Sequence, residues 1–291
     1  MRTIDPVALR DSIRDVRALL LDLDGVIVVA GAAVPGSVEA LAELERRGTP
    51  YRIVTNTSLV SRATLSRYAA KLGNEIPPER FQSALSASAA FAARSFPGQP
   101  LYVLASADAR TEFDGQRLLS HEEAAEPGAR AAAVIVGDSP EELTHANLNR
   151  AFRLVRHGAR LIGMHRNPWW LTPEGPTLDS GAYVTGLEYA TGVRAQIIGK
   201  PAAAFFSIAI QALRDDVARP AARLRRTEIA MVGDDVRTDV LAGQRAGLRG
   251  VLVLTGKHRL DDLGRPGERG RGGREPDAVA PSLADVVAAL D

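Results

Sequence analysis

The sequence predicts an α/β protein: a doubly wound parallel-sheet core with an inserted α/β cap domain. Three observations predict it. Short apolar runs of strand length recur at 18–21, 51–54, 101–104, 132–136, 160–163, 195–198, 228–232 and 250–254. Between several of them lie longer stretches with apolar residues at helical spacing, at 37–47, 62–72, 202–213 and 238–246, and strand–helix–strand alternation implies right-handed crossovers and parallel pairing. The segment from Ser83 to Tyr183 holds three strand candidates of its own, enough for a smaller α/β unit. The expected division is therefore a core at 1–82 and 184–291 and a cap at 83–183.

Along the chain, residues 1–16 alternate acids and bases (Asp5, Arg10, Asp11, Arg14, Asp15) and lack the apolar stretch of a signal peptide. The longest apolar runs, 131–136 and 229–232, fall far short of the ~20 residues that span a bilayer. Val34-Pro35-Gly36-Ser37 opens one helix, Arg47-Gly48 closes it, and Ser61 can cap the next. Near the end, 261–276 carries Gly264, Gly267, Gly270, Gly272 and Gly273 among Arg, Glu and Pro, a composition expected to form a surface loop. The net charge of +1 provides no field for nucleic acid or anionic membrane, so neither is an expected partner. With no cysteine, thiolate metal sites, cysteine nucleophiles and disulfides are excluded, which fits a cytoplasmic protein.

In an open parallel sheet the chemistry gathers beyond the carboxyl ends of the strands. Those ends carry Asp22 and Asp24, then Thr55 and Asn56, then Lys200, then Asp234 and Asp235. Phosphate ester hydrolysis needs a nucleophile, cancellation of phosphoryl charge and a proton for the leaving oxygen. Asp22 suits the nucleophile, because a carboxylate is already ionised at neutral pH, and Asp24, two residues on with Gly25 turning the backbone, suits the general acid and base. Thr55 and Lys200 offer a hydroxyl and a positive charge for phosphate. Two anions that must meet call for a divalent cation, and the hard oxygens of Asp22, Asp234 and a backbone carbonyl suit Mg²⁺. Asp-x-Asp-Gly followed by Val or Thr arises by chance in a chain of this length with a probability on the order of one in a hundred.

The residues Asp22–Val26, Val54-Thr55-Asn56, Gly199-Lys200-Pro201 and Gly233-Asp234-Asp235-Val236-Arg237-Thr238-Asp239 resemble, in order, the four motifs of the haloacid dehalogenase (HAD) superfamily of aspartate-nucleophile phosphatases. Pro35-Gly36-Ser37, Thr55-Asn56-Thr57 and Gly186-Leu187-Glu188-Tyr189-Ala190-Thr191-Gly192 are similar to the α/β-capped branch that holds nitrophenylphosphatases, phosphoglycolate phosphatases and phospholysine phosphohistidine inorganic pyrophosphate phosphatase-like proteins. The resemblance implies a small phosphorylated substrate and an aspartyl-phosphate on Asp22, with Thr55, Asn56 and Lys200 at the phosphate. It implies Mg²⁺ held by Asp22, the Asp24 carbonyl and Asp234, with Asp235 and Asp239 behind them, and a homodimer paired through the cap. Hydrolysis of phosphorus–nitrogen or pyrophosphate bonds, and phosphotransfer or mutase chemistry on the same aspartyl-phosphate, stay open as alternatives.

Other features read as structural. Gly137-Asp138 echoes Gly233-Asp234 but precedes Lys200, and is expected to end a cap strand. The five histidines, His121, His145, His157, His165 and His258, show no metal-ligand spacing. Trp169-Trp170 is expected to fill a core or an oligomer interface rather than to touch substrate. No nucleotide-binding glycine loop or serine-hydrolase elbow is present, and a catalytically silent phosphate binder would have lost one of the carboxylates or Lys200.

Overall fold

The computed structural model describes residues 6–172, 175–216, 224–260, 263 and 275–290. The first elements are α1 (Pro6–Ile13), β1 (Ala18–Leu21), the small ladder of β2 (Val28–Val29) and β3 (Ala32–Ala33), α2 (Ser37–Arg47), β4 (Tyr51–Thr55), α3 (Arg62–Lys71) and β5 (Phe81–Ser83). There follow α4 (Ala84–Ser95), β6 (Leu101–Leu104), α5 (Ala107–Arg110), α6 (His121–Ala125), β7 (Ala133–Val136), α7 (His145–Arg156), β8 (Arg160–Gly163), β9 (Trp169–Thr172), β10 (Gly175–Leu178), α8 (Ser180–Thr191) and β11 (Gln196–Ile197). The chain ends with α9 (Ala203–Asp215), β12 (Ile229–Gly233), a π-helical turn at Val236–Val240, α10 (Leu241–Arg245), β13 (Arg249–Val253), β14 (Ala278–Ala280) and α11 (Leu283–Ala289).

These elements fall into two compact units, one of Met1–Thr55, Ser66–Gln82 and Lys200–Asp291, the other of Asn56–Leu65 and Ser83–Gly199. The larger unit is built on the sheet β14-β13-β12-β1-β4-β5. Its central strand, Ala-Leu-Leu-Leu, is buried throughout, as a strand covered on both faces must be. Parallel register sets Leu21 opposite both Val232 and Ile53, so β1, β4 and β12 finish side by side and their next residues share one edge of the sheet. In α2 the buried set Ser37, Ala40, Leu41 and Leu44 follows helical spacing, and Gly48, at φ +64°, closes the helix through its N–H to the carbonyls of Glu45 and Leu44.

The smaller unit carries the parallel sheet β11-β8-β7-β6 and the antiparallel hairpin β9–β10. Its core joins Val134 and Val136 of β7 to Ala151, Leu154 and Val155 of α7 and to Val184 and Leu187 of α8. Its bounds are wider than the 83–183 read from sequence, for visible reasons. Ser61 donates from its N–H to Asp108 at 2.7 Å and Arg62 pairs with Glu112 at 3.0 Å, which ties 56–65 to this unit. At the other end β11, read as a strand leading to Lys200, pairs with β8 through Gln196↔Ile162 and Ile197↔Gly163. The stretch 261–276 lies outside the described residues apart from Leu263, Glu275 and Pro276. Among the described residues no helix is long and apolar enough to cross a membrane.

Candidate active site

β1 delivers Asp22 to the edge of the larger sheet, where its side chain is nearly buried, with 6% of the residue exposed. Oδ1 of Asp22 accepts the N–H of Leu23 at 2.8 Å and the Lys200 ammonium at 2.8 Å. Lys200, only 3% exposed, also donates to the carbonyl of Val54 at 3.0 Å and pairs with Asp239 at 2.7 Å, so its three protons reach the ends of three elements. Asp24 lies at the open side of the site and accepts the Thr55 hydroxyl; crowding by protein raises its pKa, and Lys200 and Thr55 only partly oppose this. Between them the chain turns at Gly25, whose φ is +78° and where a Cβ would sit 2.2 Å from Oδ2 of Asp234.

β12 delivers the second group of carboxylates. Asp235 is occupied: Oδ1 accepts the N–H groups of Arg237 (2.8 Å) and Thr238 (3.0 Å), capping the π-helical turn, and Oδ2 accepts the Lys257 ammonium at 2.6 Å. Burial raises Asp235, but these bonds outweigh it and hold the acid down at about 2. Asp239, on the turn, is 1% exposed and reaches back to Lys200. Asp234 accepts the main-chain N–H of Lys257 on Oδ2 at 2.7 Å.

Asp22, Asp234 and Asp239 each present an oxygen, all within 4.8 Å of one another. Burial pushes Asp22 up to about 6, with Lys200 pulling it down and Asp234 and Asp24 pushing it further up. Asp234 is lifted to about 6 by burial and by Asp239, and Asp239 to about 8 by burial and by Asp22. Burial lowers Lys200, yet Asp22 and Asp239 overcome this and hold the ammonium above its ordinary range. Three carboxyl groups crowded against one ammonium push one another's pKa up, and hard oxygens so disposed fit a small divalent cation. Since Asp239 already binds Lys200 and Asp235 is fully engaged, Asp22 and Asp234 are the better placed to meet it.

Thus Asp22, Asp24, Thr55, Lys200, Asp234, Asp235 and Asp239 all lie in the larger unit at the edge the sequence indicated. Asn56 belongs to the smaller unit, where its Oδ1 lies beside Gly199, so close that a Cβ there would be 2.7 Å away. Residues 255–258, which touch Asp234, Asp235 and Gly25, were given no place in the site from sequence, where His258 read only as a histidine without metal-ligand spacing, although they too follow a strand end.

A family model described as haloacid dehalogenase-like hydrolase matches residues 19–118, and a second, HAD-hydrolase-like, matches 197–286. A cow protein titled haloacid dehalogenase-like hydrolase domain-containing protein 2 is 36% identical over 253 residues, covering 86% of this chain and 88% of the relative. The chain belongs to the haloacid dehalogenase-like hydrolases. Another relative of this hydrolase, the human phospholysine phosphohistidine inorganic pyrophosphate phosphatase, is 33% identical over 86% of this chain and 87% of its own. Among solved structures, a p-nitrophenyl phosphatase from Archaeoglobus fulgidus superposes with a TM-score of 0.82 at 28% identity, covering 95% of this hydrolase and 100% of that chain.

Asp138 ends β7 in the smaller unit, and its N–H donates to Ser58 Oγ at 2.8 Å. The two tryptophans do not fill a core: Trp169 is 56% and Trp170 42% exposed, because β9–β10 is a two-stranded ribbon. His165 is buried among Ser58 (3.0 Å), Ser180 (3.2 Å) and Asp179 (3.5 Å).

Proposed function

We propose that this chain is a magnesium-dependent phosphatase that moves the phosphoryl group of a small substrate onto Asp22 and then releases it to water. The observation that carries the reading is the buried Lys200 ammonium holding Oδ1 of Asp22 at 2.8 Å beyond the end of β1. This bond orients the carboxylate and directs Oδ2 at phosphorus. As the bond from Asp22 to phosphorus forms, the bond to the leaving oxygen breaks and that oxygen takes the proton of Asp24. The upward shift of Asp24 is in the direction that a proton donor needs. In the second half Asp24 takes a proton from water, the water oxygen bonds to phosphorus, and the phosphorus bond to Asp22 breaks, releasing inorganic phosphate and restoring both carboxyl groups.

Lys200 and the Thr55 hydroxyl balance charge on the phosphoryl oxygens. Asp22, Asp234 and the main-chain carbonyl of Asp24 would hold Mg²⁺, with Asp239 and Asp235 behind them; bound there, the ion offsets the repulsion between two anions. Family membership and phosphatase-named relatives support this reading. Its test is hydrolysis of p-nitrophenyl phosphate by Asp22→Asn, expected to lose about 10³-fold or more in kcat. Wild-type turnover by that variant, or full activity after exhaustive chelation, refutes it.

A second reading, cleavage of phosphorus–nitrogen or phosphoric anhydride bonds, is favoured by the name of the 33% identical human relative. The same nucleophile serves each bond. Comparing kcat/KM for phosphohistidine, phospholysine, pyrophosphate and small phosphate esters decides between the two.

A further inference from the structure

We propose that His258 is a positioning residue for cation binding, acting through the main chain of Asp234 within a clamp made by residues 255–258. The inference rests on the reading that Asp234 holds a divalent ion. None of the four motifs includes these residues, which follow β13 and fold back over the ends of β1 and β12.

Four contacts make the clamp. The Thr255 hydroxyl donates to the carbonyl of Gly25, in the turn that follows Asp24. Gly256 packs so closely that a Cβ there would stand 2.1 Å from Oδ2 of Asp234 and 2.7 Å from Cα of Gly25. The N–H of Lys257 donates to Oδ2 of Asp234 at 2.7 Å. His258, 7% exposed, sets Nδ1 2.9 Å from the main-chain carbonyl of Asp234. A carbonyl can only accept, so the proton of that bond is on Nδ1.

Asp234 is thereby held at both ends. Lys257 ties Oδ2, so Oδ1 is the oxygen directed at a cation, and His258 keeps the peptide plane after Asp234 from rotating and swinging the carboxylate away. Metal ligands depend on such outer hydrogen bonds for their aim, and losing one typically costs about 10- to 100-fold in affinity.

The test titrates Mn²⁺ into the metal-free full-length chain, following the electron paramagnetic resonance signal of the unbound ion. His258→Ala is expected to weaken Mn²⁺ binding about tenfold or more. His258→Asn, whose amide nitrogen can take the place of Nδ1, should bind within about twofold of wild type. Thr255→Val, which removes only the hydroxyl, should lose about threefold. In turnover of p-nitrophenyl phosphate at saturating metal, KM should stay at the wild-type value while the metal concentration needed for half-maximal rate rises in His258→Ala. Wild-type Mn²⁺ affinity in a folded His258→Ala overturns the proposal, as does failure of His258→Asn to recover it. If His258→Ala does not fold, unchanged affinity in Thr255→Val overturns it. A wild-type chain that binds no Mn²⁺ refutes the metal reading itself, and the clamp with it; wild-type binding with an unaffected His258→Ala refutes the clamp alone.

Discussion

At the scale of single residues, the buried charges around Lys200 decide the most. Its ammonium lies within 2.8 Å of Asp22 and 2.7 Å of Asp239, in a place where neither carboxylate has water to lean on. Removing one partner of such a group leaves uncompensated charge and costs about 3–5 kcal/mol. Lys200→Met should therefore lower the melting temperature markedly as well as abolish turnover, and adding Asp239→Asn should restore part of the stability without restoring activity. Thermal unfolding of the single and double variants checks this; equal melting temperatures for wild type and Lys200→Met would mean that the pair is not a structural charge balance. Gly25 has a different constraint. Its φ of +78° and the 2.2 Å from a would-be Cβ to Asp234 predict that Gly25→Ala displaces Asp234, seen as loss of kcat with folding retained.

Elements depend on their ends. α4 opens with a reciprocal pair, Ser83 Oγ accepting the N–H of Ser86 at 3.0 Å and Ser86 Oγ accepting that of Ser83 at 3.0 Å. Ser83→Ala should cost about 1 kcal/mol, read as a lower urea midpoint with an unchanged slope. In the hairpin β9–β10 the opposite holds. Trp169 and Trp170 are the chain's two tryptophans and both are exposed, so the native fluorescence should be strongly quenched by acrylamide, with an emission maximum close to that of free tryptophan. Blue-shifted, quencher-resistant emission would contradict the exposed ribbon.

For the molecule as a whole, pH acts through buried groups whose pKa differs from that of the unfolded chain. Burial holds His165 at about 4, against an ordinary value of 6.5. Between those values the unfolded chain binds a proton that the folded one refuses, so this group's stabilisation is complete above pH 6.5 and is lost as pH falls to 4. Asp138, raised to about 6 by burial and Asp179, works in the opposite sense, which makes the difference between variants the clean measurement. His165→Gln should be less stable than wild type at pH 7.5, and the gap should narrow towards pH 4.5 in thermal melts. A gap independent of pH would show that His165 does not titrate in this way.

The sequence by itself determined the α/β class and most of the strands, and it set Asp22, Asp24, Thr55 and Asp234 after apolar runs whose parallel pairing brings them to one edge; Lys200 reaches the same edge although the strand before it, β11, pairs in the smaller sheet. Some elements were not legible: β5 and β14 have three residues each, and the ribbon β9–β10 is exposed, so no buried apolar run marks it. The reach of the smaller unit depended on side-chain ties such as Ser61 to Asp108, which join residues 47 positions apart. Only the tertiary structure decided which oxygens are engaged. The motif resemblance set Asp235 behind Asp234, and the structure adds what engages it: Oδ1 of Asp235 caps the π-helical turn and Oδ2 takes the Lys257 ammonium, while Asp234 faces the cluster. Residues 255–258 are the same kind of case: their place against Asp234 comes from the fold of β13 beside β12, so spacing within the chain carries no sign of it.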